Sequence, residues 1–264
     1  MRKFLAILLA LTLCGCAAPA PETTVPTTAP VVSVPETTVP EITVPETAAP
    51  TEALHSPLYR EGLDVQTVLD YFHEIVNQAE YFIGTGRPAL VQKWLAPLVY
   101  RIYGTPTEED LQVLRDFCDQ LNEVEGFPGI REAQEGETEN LTISFLDADA
   151  FRAEFSDFLQ GEDAWGATQY WYYNATNEIH TATIGYRTDT PQSERNSIIL
   201  EEIVNTLGMS DTEVRTDSIV YQYSNDNLCL SDVDWLLLEL LYHPDIDCAM
   251  DADMCVKVIS DLYY

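Results

Sequence analysis

Hydrophobic and polar positions divide the chain into three stretches. Residues 4–13 form one short apolar run, residues 17–57 show no apolar periodicity, and residues 58–264 carry the repeating apolar positions of a folded core. The last stretch is long enough for one domain, which would bury roughly 70% of the surface that its unfolded chain exposes. We therefore expect a single globular domain over residues 58–264.

The pattern within this domain predicts both helices and strands. Apolar side chains at helical spacing predict helices over residues 64–79, 107–124, 149–159, 193–207, 231–241 and 251–263. β-branched and aromatic residues predict strands over residues 94–103, 141–145, 168–173 and 178–187. A turn-like Asn-Ala-Thr-Asn sequence joins the last two strands, so we expect an antiparallel hairpin there. This order of elements is typical of an α+β fold.

Four consecutive aromatic residues, 170–173, lie in the first strand of the predicted hairpin. They have two interpretations, a ligand-binding edge or a strand that is covered on both faces. Because strands favour aromatic residues in any case, the pattern favours the covered strand.

The apolar run at residues 4–13 follows two basic residues and is too short to span a bilayer as a helix, which is typical of a signal peptide. Residues 13–16 read Leu-Cys-Gly-Cys and resemble the lipobox of bacterial lipoproteins, in which a small residue precedes the acylated cysteine. We therefore expect a signal peptide over residues 1–15, a lipid on Cys16, and an extracytoplasmic protein anchored to the membrane surface through that lipid.

Residues 16–57 are rich in proline and threonine and repeat a five-residue pattern, VPETT, VPEIT and VPETA, at residues 34–48. Such a composition cannot build a core, and regular proline favours extended polyproline II conformation. We interpret this segment as a semi-rigid stalk between the lipid and the domain.

The sequence is strongly acidic, with 44 acidic residues against 13 basic ones and a formal net charge of -31. This balance argues against nucleic acid as a partner and against electrostatic binding to anionic lipids, since both depend on cationic side chains. A cation or a basic partner agrees with the charge, and so does a simple role in solubility.

Six cysteines are present, and four of them lie within the predicted domain. Cys248 and Cys255 flank a short acidic loop and are the pair that we expect to form a disulfide, because an extracytoplasmic compartment permits one. The alternative is that the four cysteines are buried thiols, as small apolar cysteines often are.

A segment on the helix predicted over residues 193–207, and just after it, resembles the HExxHxxGxxH motif of metzincin metallopeptidases. In that motif three histidines bind zinc and the glutamate polarises a zinc-bound water. Here Glu201, Asn205 and Asp211 occupy the three ligand positions, Glu202 occupies the catalytic position, and Gly208 is retained. Every histidine is therefore replaced, and the simpler interpretation of Glu202 is a carboxylate that is solvated or that takes part in capping a helix.

Other segments extend the resemblance to matrixins, a class of metzincins. Residues 218–221 resemble the Met-turn, with Val220 in place of methionine, and residues 230–242 resemble the C-terminal matrixin helix. Lys93 and Trp94 resemble the start of the first strand. The chain is also similar to an uncharacterised family of bacterial lipoproteins with a Leu-Tyr-x-Pro ending, here residues 241–244.

This resemblance implies a zincin-like fold, in which a small mixed sheet packs its antiparallel hairpin against the former active-site helix, followed by a C-terminal helical part. Zinc prefers imidazole and thiolate, whereas Glu201, Asn205 and Asp211 offer only oxygens. We therefore expect no zinc and no other cofactor, although calcium or magnesium accepts such ligands.

The replaced histidines favour a domain that has lost catalysis and binds a protein, a peptide or an envelope polymer in the former cleft. Two alternatives remain. One is a hydrolase with a metal bound by oxygen ligands and Glu202 as general base, and the other is a structural envelope lipoprotein with no ligand.

Overall fold

The structure, a computed structural model, describes residues 56–77, 89–159 and 164–263. The predicted signal peptide over residues 1–15, the lipidated Cys16 and nearly all of the stalk lie outside these residues. Within the described part of the chain, no helix combines the length and the apolar composition that crossing a membrane requires.

A six-stranded mixed sheet forms the centre of the domain. Its strands are β1 (Lys93–Trp94), β2 (Leu98–Gly104), β3 (Ile130–Glu132), β4 (Leu141–Leu146), β5 (Gly166–Tyr172) and β6 (Glu178–Arg187). Strands β3, β2, β4 and β6 follow one another across the sheet in parallel. Strand β6 also pairs in parallel with β1 through its first two residues and antiparallel with β5, which is the predicted hairpin.

The helices are α1 (Val65–Phe72), α2 (Glu108–Leu121), α3 (Ala148–Glu154), α4 (Ser156–Leu159), α5 (Gln192–Thr206), α6 (Asp232–Leu241) and α7 (Ala252–Tyr263). A π-helical turn, His73–Asn77, continues α1. Thr107 and Ser231 form complete capping boxes at the starts of α2 and α6, which satisfies backbone donors that have no partner within the helix.

Helix α5 occupies a central position, because ten of its 15 residues are buried. It contacts both strands of the β5–β6 hairpin, and it also contacts α2. The main core continues from the sheet into α6 and α7, whose apolar side chains belong to the same buried cluster. The predicted packing of the hairpin against the helix that follows it, α5, is therefore present.

The domain thus combines helices with a mixed sheet, as predicted, but most neighbouring strands are parallel, which the α+β interpretation did not anticipate. The single strand predicted over residues 94–103 is divided into β1 and β2, and Pro97 lies in the break. Proline has no N–H to donate to a strand ladder, which accounts for the interruption. The helix predicted over residues 149–159 is likewise divided, at Phe155, into α3 and α4.

Candidate functional site

The predicted site residues Glu201, Asn205 and Asp211 lie on the last two turns of α5 and in the loop that follows it. Glu201 is buried, with 3% of its surface exposed, whereas Asn205 and Asp211 are half-buried. The Asn205 amide donates a hydrogen bond from Nδ2 to Oδ1 of Asp211 at 3.1 Å. Two of the three positions are therefore linked by a hydrogen bond within the protein.

Glu202 lies in the interface between α5 and the hairpin, with only 6% of its surface exposed. A Cβ atom at Gly166, the first residue of β5, would lie 2.6 Å from Oε1 of Glu202 and would clash with the side chain of Ile198. The Glu202 carboxylate thus packs against the backbone of β5, and only glycine fits opposite it. The solvated interpretation of Glu202 is wrong.

Contacts of the backbone and of neighbouring side chains fix the same turn of α5. The carbonyl of Glu202 accepts hydrogen bonds from Oγ1 of Thr168 at 2.9 Å and from Oγ1 of Thr206 at 2.8 Å. The hydroxyl of Tyr186 donates to the carbonyl of Ile199 at 3.1 Å. Burial, followed by the nearby Glu202 carboxylate, raises the pKa of Tyr186 well above its ordinary value, so this tyrosine remains protonated.

Gly208, Trp94 and Tyr242 fix the end of α5. Gly208 has φ +105°, and a Cβ atom there would clash with the carbonyl oxygen of Gln92. The indole nitrogen of Trp94 donates to the carbonyl of Thr206 at 2.9 Å, and the hydroxyl of Tyr242 donates to the carbonyl of Leu207 at 3.1 Å. These bonds satisfy carbonyls that lack partners at a helix C-terminus.

Lys93 connects β1 to the segment that follows α6. Its buried ammonium donates to the carbonyl of Leu241 at 2.9 Å and to the carbonyl of Ile246. It also lies 5.8 Å from the ring centroid of Tyr242. Burial lowers the pKa of Lys93, because a charged ammonium loses hydration in the interior. Trp94 and Tyr242 therefore hold the end of α5, and Lys93 joins β1 to the segment that carries Tyr242.

The segment at residues 218–221 is held by a buried aspartate on α6. Asp234 accepts hydrogen bonds from the Ser218 hydroxyl at 2.6 Å, from the Ile219 amide at 3.0 Å and from the Ser231 amide at 2.9 Å. Val220 in this segment is fully buried. The sequence predicted Asp234 only as part of the start of a helix, and its contact with residues 218 and 219 depends on the tertiary fold.

Glu74, a carboxylate that the sequence did not single out, lies near the loop after α5. Glu74, in the π-helical turn, accepts a hydrogen bond through Oε1 from the Thr212 hydroxyl at 2.6 Å. The Ser210 amide and hydroxyl both donate to the carbonyl of Ile75 at 2.8 Å. A π-helical turn frequently marks a functional site. No feature of the local sequence predicted it, since residues 64–79 have an ordinary helical period.

Zinc does not fit the predicted ligand set. Glu201, Asn205 and Asp211 bring only carboxylate and amide oxygens, and zinc favours nitrogen and sulfur donors. Among the residues that the structure describes, no group of three or more His, Cys, Asp or Glu side chains is arranged to hold a metal ion. Two histidines are engaged elsewhere, since His180 stacks on Tyr173 with ring centroids 4.2 Å apart and His243 accepts a hydrogen bond from the Asp245 amide.

Cys248 and Cys255 are not bonded to each other in the structure. The Cys248 thiol donates to the carbonyl of Lys93 at 3.7 Å, and the amide of Asn77 donates to the sulfur of Cys255 at 3.9 Å. Burial raises the pKa of both thiols. Their pairing as a disulfide stays a prediction.

The fold and this region together define a mixed α/β domain in which an edge hairpin packs on a central, buried helix. Residues 66–261 match the family described as "Protein of unknown function (DUF2927)". Because the match covers more than half of the chain, the chain belongs to this family. This confirms the predicted membership of an uncharacterised domain family. No curated protein matches the chain.

Proposed function

We propose that this protein is a lipid-anchored, extracytoplasmic lipoprotein whose metzincin-like domain has lost zinc catalysis and binds an extended peptide segment beside β5 and α5. The observation that carries the proposal is the position of Glu202, which packs under Gly166 at the start of β5. In this position the carboxylate supports the hairpin instead of serving a reacting water.

The metzincin-like interpretation is supported by the order of the elements and by their contacts. The β5–β6 hairpin is followed by α5, by Gly208 in the left-handed region, by the buried segment at residues 218–221 and by α6, which begins after Ser231. The residues that carry the resemblance meet in the fold around the end of α5 and at Asp234. They act as a scaffold, which a domain can retain after its catalytic residues have changed.

The loss of catalysis is supported by the burial of the acidic pair. A general base must reach the proton that it removes, directly or through one water. Glu201 and Glu202 have 3% and 6% of their surfaces exposed. Neither carboxylate is therefore open to a substrate that arrives from solvent.

The binding role is supported by the outer edge of the sheet. Among the described strands, β5 pairs only with β6, so its other edge offers backbone groups to an added strand. Trp171 on this strand is 48% exposed and Tyr173 just beyond it is 53% exposed. An extended peptide could pair with the β5 backbone and pack an apolar side chain on Trp171. The aromatic run is thus better explained as a binding edge than as a covered strand.

Selection of a random peptide library on the full-length protein in detergent tests this function. We expect selected peptides to bind intact, and Trp171→Ala to weaken their binding by about tenfold or more, since exposed tryptophans often dominate peptide interfaces. Tyr103→Ala is the matched control, because Tyr103 is an aromatic residue of β2 with a similar exposure of 44%. Cleavage of the library by the purified protein, or equal effects of the two substitutions, would contradict the proposal.

One observation favours the competing function, a hydrolase with an oxygen-ligand metal. The Oδ1 atom of Asn205 is shielded from solvent and has no hydrogen-bond partner in the described part of the chain. Calcium or magnesium would accept this oxygen together with Glu201 and Asp211. If the hydrolase function holds, added calcium or magnesium should activate peptide cleavage, and Glu202→Gln should abolish that cleavage while the protein stays folded.

A further inference from the structure

A cavity of about 650 Å³ opens on a part of the domain that the proposed function does not use. Its walls come from residues 56–58, from the end of α2 and the loop after it, from α6, from residues 243–244 and from α7. The volume falls within the range of 300–1,000 Å³ that is typical of ligand pockets. None of its lining residues belongs to β5 or α5.

The apolar part of this pocket is built around Trp235. Its ring packs against Phe117 of α2 with ring centroids 6.1 Å apart, which holds the indole in place. Leu58, Val124 and Leu262 contribute further apolar lining. A tryptophan face of this kind attracts both apolar groups and cations.

The polar part of the lining is acidic. Glu123 and Glu125 follow α2, and Glu239 lies on α6, so carboxylates approach the pocket from two different elements. Arg60 pairs with Glu239 at 2.7 Å, but no lysine or arginine is among the described residues that line the pocket. Arg60 therefore balances the charge of Glu239, and the described lining residues add no lysine or arginine to balance Glu123 and Glu125.

We propose that this pocket binds a basic peptide segment that carries both lysine or arginine and apolar side chains. An apolar side chain, or the aliphatic part of a lysine, would pack on Trp235, and the cationic groups would reach Glu123 and Glu125. A peptide with more than one cation fits better than a single amine, because Glu123 and Glu125 place two carboxylates in the loop after α2. The strongly acidic sequence favours the approach of such a partner at a distance.

Calorimetric titration of the full-length protein in detergent with an acetylated hexapeptide of alternating leucine and lysine tests the proposal. We expect one peptide to bind per chain, and we expect the same peptide with glutamate in place of lysine not to bind. Glu123→Gln with Glu125→Gln should weaken binding of the lysine peptide about threefold to tenfold, as for the loss of two ion pairs at exposed glutamates.

The control is Glu135→Gln with Glu154→Gln, which removes the same charge from two exposed residues outside the pocket. Unchanged affinity in this control supports a specific site. Equal weakening in both double variants would mean that only the overall charge attracts the peptide, and this would overturn the proposal. The proposal would also be overturned if the lysine peptide did not bind at all. Trp171→Ala should leave this affinity unchanged, so failure here is distinguishable from failure of the proposed function at β5.

Discussion

At the scale of single residues, two glycines decide how closely α5 approaches its neighbours. Gly166 makes room for the Glu202 carboxylate, and Gly208 lets the chain turn against the carbonyl of Gln92. Gly166 packs against Glu202 within α5, and Gly208 lies just beyond the end of α5. Here the close approaches are structural, and the two glycines should therefore matter for folding.

Gly208→Ala should strongly destabilise the domain. Its φ of +105° is unfavourable for alanine, and the added Cβ would clash with the Gln92 carbonyl, so we expect a loss of about 3 kcal/mol or more in the free energy of unfolding. Gly136→Ala is the control, because Gly136 has φ +77° but no atom near the added Cβ, and it should cost only about 1 kcal/mol. Urea denaturation measures both, and equal losses would contradict the contact with Gln92.

The sequence predicted some of these residue roles and missed others. Glycine just after a helical period favours the left-handed position beyond a helix C-terminus, and Gly208 after α5 has φ +105°. The burial of Glu202 was not predicted, because adjacent glutamates on a helix normally face solvent. Its environment is provided by Gly166, which is distant in the sequence and becomes a neighbour only when the hairpin packs on α5.

At the scale of elements, a buried ion pair joins α2 to α5. Arg195 donates from Nε to Oδ1 of Asp110 at 2.8 Å, and Gln192 and the Thr107 amide donate to the same carboxylate at 2.6 and 2.8 Å. Burial by itself would raise the pKa of Asp110, but these hydrogen bonds together hold it below its usual value of 3.8.

The pH dependence of stability tests this link. Because the folded pKa of Asp110 is lowered, its contribution is fully present above pH 3.8 and is lost as the pH falls through the folded value. Asp110→Asn should cost about 2 kcal/mol at pH 7, as expected for hydrogen bonds to a charged group, and the difference from the natural protein should shrink only below about pH 4.

The control for this experiment is Asp149→Asn, which removes the carboxylate of an exposed pair with Arg152. Its effect should be small at every pH, since exposed pairs contribute little. A difference between the natural protein and Asp110→Asn that already shrinks between pH 7 and pH 5 would mean that the carboxylate does not have a lowered pKa.

The elements themselves were largely predictable, whereas their arrangement was not. Amphipathic periods identified α2, α5, α6 and α7, and the alternation of the hairpin identified β5 and β6. The pairing of β2, β4 and β6 in parallel depends on crossovers through helices, which no local pattern encodes. Strand β3 is only three residues long, too short for a periodicity to reveal. The π-helical turn is bonded to residues 210 and 212, far along the chain, and no local pattern predicts these contacts.

At the scale of the whole molecule, the proposed function requires a lipid that holds the domain at the membrane surface. The lipobox-like sequence predicts one lipid, on Cys16, and the neighbouring Cys14 provides a matched comparison. Labelling of growing cells with a fatty-acid analogue should mark the natural protein and Cys14→Ser in the membrane fraction. Cys16→Ser should lose the label, because the acylated sulfur is gone. Label retained in Cys16→Ser, or lost only in Cys14→Ser, would contradict the predicted anchor.

The whole domain holds Glu201, Asn205 and Asp211 on and just after α5, whose end is fixed by Trp94 and Tyr242. The chain belongs to the DUF2927 family. The pocket proposed around Trp235 shares no lining residue with the peptide surface proposed at β5.

Elemental analysis of the full-length protein, purified without a metal-affinity tag, tests most directly whether the domain has lost zinc catalysis. The measurement gives the zinc content per chain after dialysis against zinc-containing buffer and then against metal-free buffer. We expect no retained zinc, because Glu201, Asn205 and Asp211 offer only oxygens and Glu202 is packed under the hairpin. One zinc ion retained per chain, and lost when Asp211 is replaced by alanine, would contradict this expectation.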